Sequence, residues 1–149
     1  MEKLGKVIAI NTSKEKGVIK ESIPSAYFEK DHGLVGDAHA GKWHRQVSLL
    51  AKESVDKMTK LGVEGLCSGK FAENLTTEGL ILHELPVGTK LKIGESIQEV
   101  SQIGKECHTG CAIKAQVGEC IMPKEGIFTM VLKSGTVKAG DLIELVEMQ

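Results

Sequence analysis

Between Gly104 and Gly126 the chain reads GKECHTGCAIKAQVGECIMPKEG. Three of its four cysteines, Cys107, Cys111 and Cys120, fall in this stretch, with His108 directly after the first and Lys105, Lys114 and Lys124 spread around them. The thiolate is the form of cysteine that attacks, carries sulfur or ligates metal, and nearby cations favour it over the thiol. Lys105 and His108 flank Cys107, and the glycines at 104 and 110 permit close approach by a ligand. The stretch is therefore read as presenting a reactive cysteine, with His108 available as a general acid or base near neutral pH. Two other readings stay open. Cys107, His108, Cys111 and Cys120 could supply four ligands to a tetrahedral zinc, although the C-x3-C spacing departs from the usual C-x2-C. The thiols could also be inert packing residues, as Cys67, alone in a Gly/Ser loop, is read to be.

A second chemical cluster lies in residues 29–45, EKDHGLVGDAHAGKWHR, which hold three glycines and three of the five histidines, His32, His39 and His44. This composition forms no regular hydrophobic element, so a long functional loop or a succession of turns is expected. Its end, Lys42-Trp43-His44-Arg45, contains the only tryptophan and the only arginine of the chain. A planar guanidinium offers a fork to carboxylate or phosphate that lysine lacks. Together with His39, these residues suit a phosphate or another anionic group. Glu73 and Asn74 could reach a ligand or merely cap a turn. The chain has no P-loop, no G-x-G-x-x-G after a strand, no H-E-x-x-H and no G-x-S-x-G, which removes most nucleotide-binding, metalloprotease and serine-hydrolase readings.

The elements that must hold these clusters are mostly short strands. Residues 4–10 read as an opening strand, residues 18–23 as extended up to Pro24, residues 46–51 as a buried strand and residues 128–132 as another. Residues 71–79 read as a strand with a polar face. Residues 51–61 carry Val55, Met58 and Leu61 at helical spacing, ended by Gly62. Residues 88–97 and 135–143 share a strand, Gly-acidic turn, strand pattern and are both read as hairpins. Such a Gly-rich, helix-poor chain favours a mainly β fold, a closed or nearly closed barrel with a few short helices.

The 149 residues, 41% hydrophobic and 26% charged, fit one globular domain spanning 1–149. A net charge of −1 gives no argument for nucleic acid or a membrane surface. The opening MEKLGKVIAI lacks the length of a membrane span and the cleavage site of a signal peptide. A cytoplasmic location is expected, with free or ligating thiols rather than disulfides.

Five ordered blocks, GLVGDAHAGKWHRQVSLL (33–50), GKFAENLTTEGL (69–80), IGKECHTGCAI (103–113), GECIMPKEGIF (118–128) and VKAGDLIEL (137–145), resemble a small stand-alone MOSC-domain protein, a relative of the C-terminal domain of molybdenum cofactor sulfurase. The resemblance implies a β-barrel of the pyruvate-kinase type that binds the molybdenum cofactor (molybdopterin) and handles sulfur as a persulfide on one cysteine. By position Cys107 matches that cysteine, with Cys111 second, and Lys105 and His108 stabilising the thiolate. The block 36–46 matches the family's basic, histidine-containing loop, placing the cofactor's phosphate near Lys42, His44, Arg45 and His39. Glu73 and Asn74 match its A-E-N-L block. Where a basic residue is expected after the aromatic of the GIF block, this chain has Thr129-Met130, so Arg45, Lys42 or Lys124 must take that part. The chain lacks the pyridoxal-phosphate domain of eukaryotic sulfurases, so no pyridoxal phosphate is expected and sulfurtransferase-type chemistry needs a donor such as a cysteine desulfurase. Molybdenum enzymes or cofactor-synthesis proteins are the implied acceptors. An alternative implied by other bacterial relatives is a reductase of N-hydroxylated substrates, with Cys107 as a molybdenum ligand.

Overall fold

The computed structural model describes residues 2–14, 21–38, 40–54, 56, 73–104 and 126–146. Eleven strands lie among them, and seven close into a ring. β1 (Glu2–Thr12) pairs antiparallel with β11 (Leu142–Leu145), which pairs with β7 (Lys90–Ile93). β7 turns into β8 (Ser96–Ile103), β8 pairs with β9 (Ile127–Lys133), and β9 with β5 (Val47–Ala51). β5 runs parallel to β6 (Leu75–Glu78), and β6 pairs back onto β1. The closed ring leaves these seven strands without a free edge.

A parallel pair cannot be joined by a tight turn. The connection from β5 to β6, residues 52–74, starts helically at residues 52–54 and 56. This agrees with the helix expected over 51–61 as far as the described residues go, except that Ala51 closes β5.

Alternation builds the interior. β7 turns Leu91 and Ile93 inward, and β8 turns Ser96, Gln98 and Val100 inward. Val7, Ile10, Leu49, Leu75, Ile127, Val131 and Ile143 complete the apolar cluster. Apart from Thr77 Oγ1, which is buried without a hydrogen-bond partner, the interior polar groups of the described residues are paired. Thr129 Oγ1 donates to Gln98 Oε1, Gln98 Nε2 donates to Ser96 Oγ at 3.1 Å, and Ser96 Oγ donates to the Ile93 carbonyl at 2.8 Å. Position 129, where the resemblance predicts a basic side chain, thus faces the interior and is fully buried.

Beside the ring, β2 (Glu21–Ile23) extends β1. A second sheet is formed by β10 (Gly135–Lys138), β3 (Ser25–Glu29) and β4 (Gly33–Leu34). β3 and β4 fall partly inside the stretch read as loop. They are held by a close approach: Gly33 has φ +114°, and a Cβ there would meet the Gln46 carbonyl oxygen at 2.6 Å.

Two expectations are corrected. Residues 88–97 do form a hairpin, β7–β8, but 135–143 do not, because β10 pairs with β3 while β11 pairs with β7 and β1. The Gly-Asp turn hands the chain from one sheet to the other. Gly140 N–H donates to the Val7 carbonyl and Val7 N–H to the Asp141 carbonyl, at 2.6 and 2.8 Å, so the turn's polar groups are committed to β1. Nor does β6 carry a polar face to solvent. Leu75, Thr76 and Thr77 are all buried, and the Thr76 hydroxyl is engaged by Asn11 and Glu73.

Candidate functional site

The site is organised by the end of the β8–β9 ladder. Gln102 lies opposite Phe128 and Ile103 opposite Ile127, and beyond them Gly104 N–H donates to the Gly126 carbonyl at 2.6 Å. The two residues that flank the cysteine-bearing segment 105–125 therefore meet at one point of the barrel. Gly104, with φ +69°, makes the turn out of the strand. Lys105, Cys107, His108, Cys111, Cys120 and Lys124 themselves lie outside the described residues, as do His39 and Cys67.

The basic loop is tied to this same point. The Ser101 hydroxyl donates to the His44 carbonyl, pinning the loop's backbone to β8. Gln102 Oε1 lies 2.9 Å from His44 Nε2 and accepts from Arg45 Nε at 3.2 Å, while Gln102 Nε2 donates to the Gly104 carbonyl at 2.7 Å. One amide side chain thus touches the histidine, the arginine and the residue at which the cysteine segment departs. Residues 44 and 102 are 58 positions apart in sequence and adjacent in space.

Two aromatic rings orient the arginine. Its guanidinium carbon lies 5.5 Å from the centroid of Phe128 and 5.8 Å from that of Trp43. Such cation–π contacts are worth about 0.5–2 kcal/mol depending on desolvation. Trp43 also meets the His44 ring edge to face, centroids 5.9 Å apart. With Nε engaged by Gln102, the two terminal nitrogens of Arg45 have no carboxylate partner among the described residues. Lys42, three positions earlier, is exposed. The arrangement offers an oriented, unneutralised fork beside a flexible cation, a donor set that suits a tetrahedral oxyanion.

Glu73 and Asn74 sit one strand further in. Ser48 lies opposite Phe128, and Asn74 is bound to Ser48: Asn74 Oδ1 accepts from Ser48 N–H at 3.0 Å and from Ser48 Oγ at 3.2 Å. Asn74 Nδ2 donates to the Asn11 carbonyl at 3.2 Å, Asn11 Nδ2 to Thr76 Oγ1 at 3.0 Å, and Thr76 Oγ1 to Glu73 Oε2 at 3.0 Å. All four of Asn11, Asn74, Thr76 and Glu73 are buried. The network stitches β1, β5 and β6 together behind the basic loop. The structure thus brings His44 and Arg45 to the strand end from which the cysteine segment departs, with Lys42 exposed on the same loop, and places Glu73 and Asn74 in the network behind.

Sequence reading passed over Ser101, Gln102 and Phe128. No local pattern marks them, because their importance comes from meeting a loop 57 or more positions away in sequence. A cavity of about 410 Å³ lies elsewhere, lined by Ala51, Glu53, Ser54 and residues 80–84, and contains none of these groups. Among the described residues no cluster of His, Cys, Asp and Glu could hold a metal ion, and no helix is long and apolar enough to cross a membrane.

The MOSC domain family model matches residues 36–144, which include the basic loop, the whole β8–β9 ladder and the segment between. This chain belongs to the MOSC domain family. Solved structures share its fold: YuaD from Bacillus subtilis has a TM-score of 0.72 at 19% identity, covering 97% of both chains. YiiM from Geobacillus stearothermophilus has a TM-score of 0.71 at 21% identity over 96% of this chain and 75% of its own. YiiM from Escherichia coli has 0.66 at 20% identity over 100% and 71%. No curated protein sequence matches the chain. MOSC domains are associated with the molybdenum cofactor. The Arg45 fork, beside two rings and with no carboxylate partner among the described residues, is compatible with the phosphate of such a group.

Proposed function

We propose that this MOSC-domain chain binds the molybdenum cofactor and carries sulfur on a reactive cysteine, Cys107, in cofactor sulfuration or maturation. The supporting observation is the bridge made by Gln102, which ties the His44–Arg45 loop to Gly104 at the start of the cysteine segment. Covalent geometry alone keeps the Cα of Cys107 within about 11 Å of that of Gly104, so an anion on Arg45 and a sulfur on Cys107 would share one neighbourhood.

In this reading Lys42, His44 and Arg45, with His39 and Lys124, hold the phosphate, and the two-ring stack fixes the direction of the Arg45 fork. When bound, the cofactor supplies a metal able to take sulfur as a ligand. The chain's own step is a thiol exchange. The Cys107 thiolate, favoured by Lys105 and His108, attacks the outer sulfur of a persulfide donor such as a cysteine desulfurase. A new S–S bond forms on Cys107, the donor's S–S bond breaks, and the donor leaves as a thiolate, with no net oxidation. Attack by Cys111 or Cys120 on the inner sulfur would then release hydrosulfide and leave a disulfide, to be reduced by a dithiol.

The experiment loads the protein with sulfane sulfur from a persulfide donor and maps the added sulfur by mass on each cysteine, alongside cofactor retention. Wild type is expected to carry the extra sulfur at position 107, and Cys107→Ala to lose it. A Cys107→Ala protein that accepts sulfur and cofactor as well as wild type removes the proposal.

A further inference from the structure

We infer that Gln102 is a positioning residue that fixes the tautomer of His44 and the direction of the Arg45 fork, and so sets how the basic loop meets its anion. The inference rests on the reading of Lys42–Arg45 as an anion site. It follows from hydrogen-bond polarity. An amide can point either way round, and two neighbours here decide it independently. The Gly104 carbonyl can only accept, so the atom 2.7 Å from it must be the amide nitrogen. Arg45 Nε–H can only donate, so the atom 3.2 Å from it must be the amide oxygen. Both constraints give one orientation.

The tautomer of His44 follows. Its Nε2 lies 2.9 Å from that same oxygen, and two acceptors facing each other at this distance would repel. Nε2 must therefore carry the proton, which leaves Nδ1 as the only ring nitrogen free for a ligand or a second proton. The backbone of His44 has little freedom to escape, since the Ser101 hydroxyl holds its carbonyl. For Arg45, engagement of Nε by Gln102 and the contacts of the guanidinium with Phe128 and Trp43 restrict rotation of the side chain. A leucine of similar size at position 102 would keep the strand and remove all three interactions. A glutamate would keep the shared acceptor for His44 and Arg45, but would lose the donor to Gly104 and place a negative charge on Arg45.

The test uses the full chain with three proteins, wild type, Gln102→Leu and Gln102→Glu, each checked for folding by far-UV circular dichroism. Side-chain nitrogen NMR of His44, assigned with His44→Gln, reads the tautomer. Inorganic sulfate, titrated by Trp43 fluorescence, reads the anion site without a change of anion charge near neutral pH. Wild type is expected to show neutral His44 protonated at Nε2 only, Gln102→Leu to show mixed tautomers, and Gln102→Glu to restore the wild-type signature. Sulfate affinity should fall about tenfold in Gln102→Leu. In Gln102→Glu it should fall at least as far, because the carboxylate neutralises Arg45. This opposite behaviour of the two readouts is one that a purely structural role would not produce. An Nδ1-protonated His44 in wild type, or the same His44 signature in wild type and Gln102→Leu, overturns the inference. So does an unchanged sulfate affinity in Gln102→Leu. If wild type fails to bind sulfate, the anion-site reading falls, while the His44 tautomer still decides the role of Gln102.

Discussion

Replacing Asn74 by alanine tests whether the A-E-N-L block holds the barrel itself together. The side chain is fully buried and makes three hydrogen bonds, two from Ser48 and one to the Asn11 carbonyl. Each such bond contributes about 1 kcal/mol net, and a buried donor left without a partner costs about 1–3 kcal/mol more. In Asn74→Ala the Ser48 hydroxyl can turn to other neighbours. The Ser48 N–H cannot, since it belongs to β5 and faces the vacated position. Two bonds of average worth and one orphaned donor give a loss of about 3–4 kcal/mol. For a chain of this size that corresponds to a melting temperature lower by roughly 10 °C. Urea unfolding followed by far-UV circular dichroism measures it directly, with the slope against denaturant expected to stay unchanged. Lys42→Ala, at an exposed position, is the control and should move stability by less than about 0.5 kcal/mol. A loss below about 1 kcal/mol in Asn74→Ala would refute the argument, because it would mean the network adds little to the junction of β1, β5 and β6.

Two further outcomes are expected. Gly33→Ala should cost more than Gly36→Ala in the same unfolding assay. Both glycines have positive φ, but a Cβ at 33 would sit 2.6 Å from the Gln46 carbonyl oxygen whereas one at 36 meets nothing within 4 Å. The backbone alone costs about 1 kcal/mol at either position, so equal losses would show that the Gly33–Gln46 contact relaxes freely. Arg45→Met should shift the emission of Trp43, the only tryptophan, by removing the guanidinium 5.8 Å from its ring, and should abolish the response of that emission to added sulfate. A sulfate response that survives in Arg45→Met would place the anion elsewhere.

What could be read from the sequence follows the range of the interaction concerned. Strand identity is partly local: the alternation of Lys90, Leu91, Lys92 and Ile93 marks β7 without reference to any partner, whereas β8 turns the polar Ser96 and Gln98 inward and its sequence alone does not show which face is buried. The β7–β8 hairpin is local too, and it was legible from its Gly94-Glu95 turn. The matching pattern at Gly140-Asp141 misled because nothing local separates a turn that folds a strand back from one that passes it to another sheet. Val7, more than 130 residues upstream, decides between them by binding both sides of the turn. The polar face expected for β6 failed for a related reason. Thr76 and Thr77 look like solvent-facing residues, but both are buried, and the Thr76 hydroxyl meets Asn11, 65 positions away.

The site divides in the same way. Residue types announced the chemistry of Lys42, His44 and Arg45, but not where that loop docks. The β8–β9 ladder supplies the missing information, because it carries Ser101 and Gln102 to the loop and closes Gly104 onto Gly126. The pairing of β8 with β9, which the ring requires, also holds the two ends of the 105–125 segment together. In the proposed reading, a cysteine segment whose ends are fixed by the β8–β9 pairing, beside an arginine bound by Gln102, would bring a thiol and an anion into one neighbourhood.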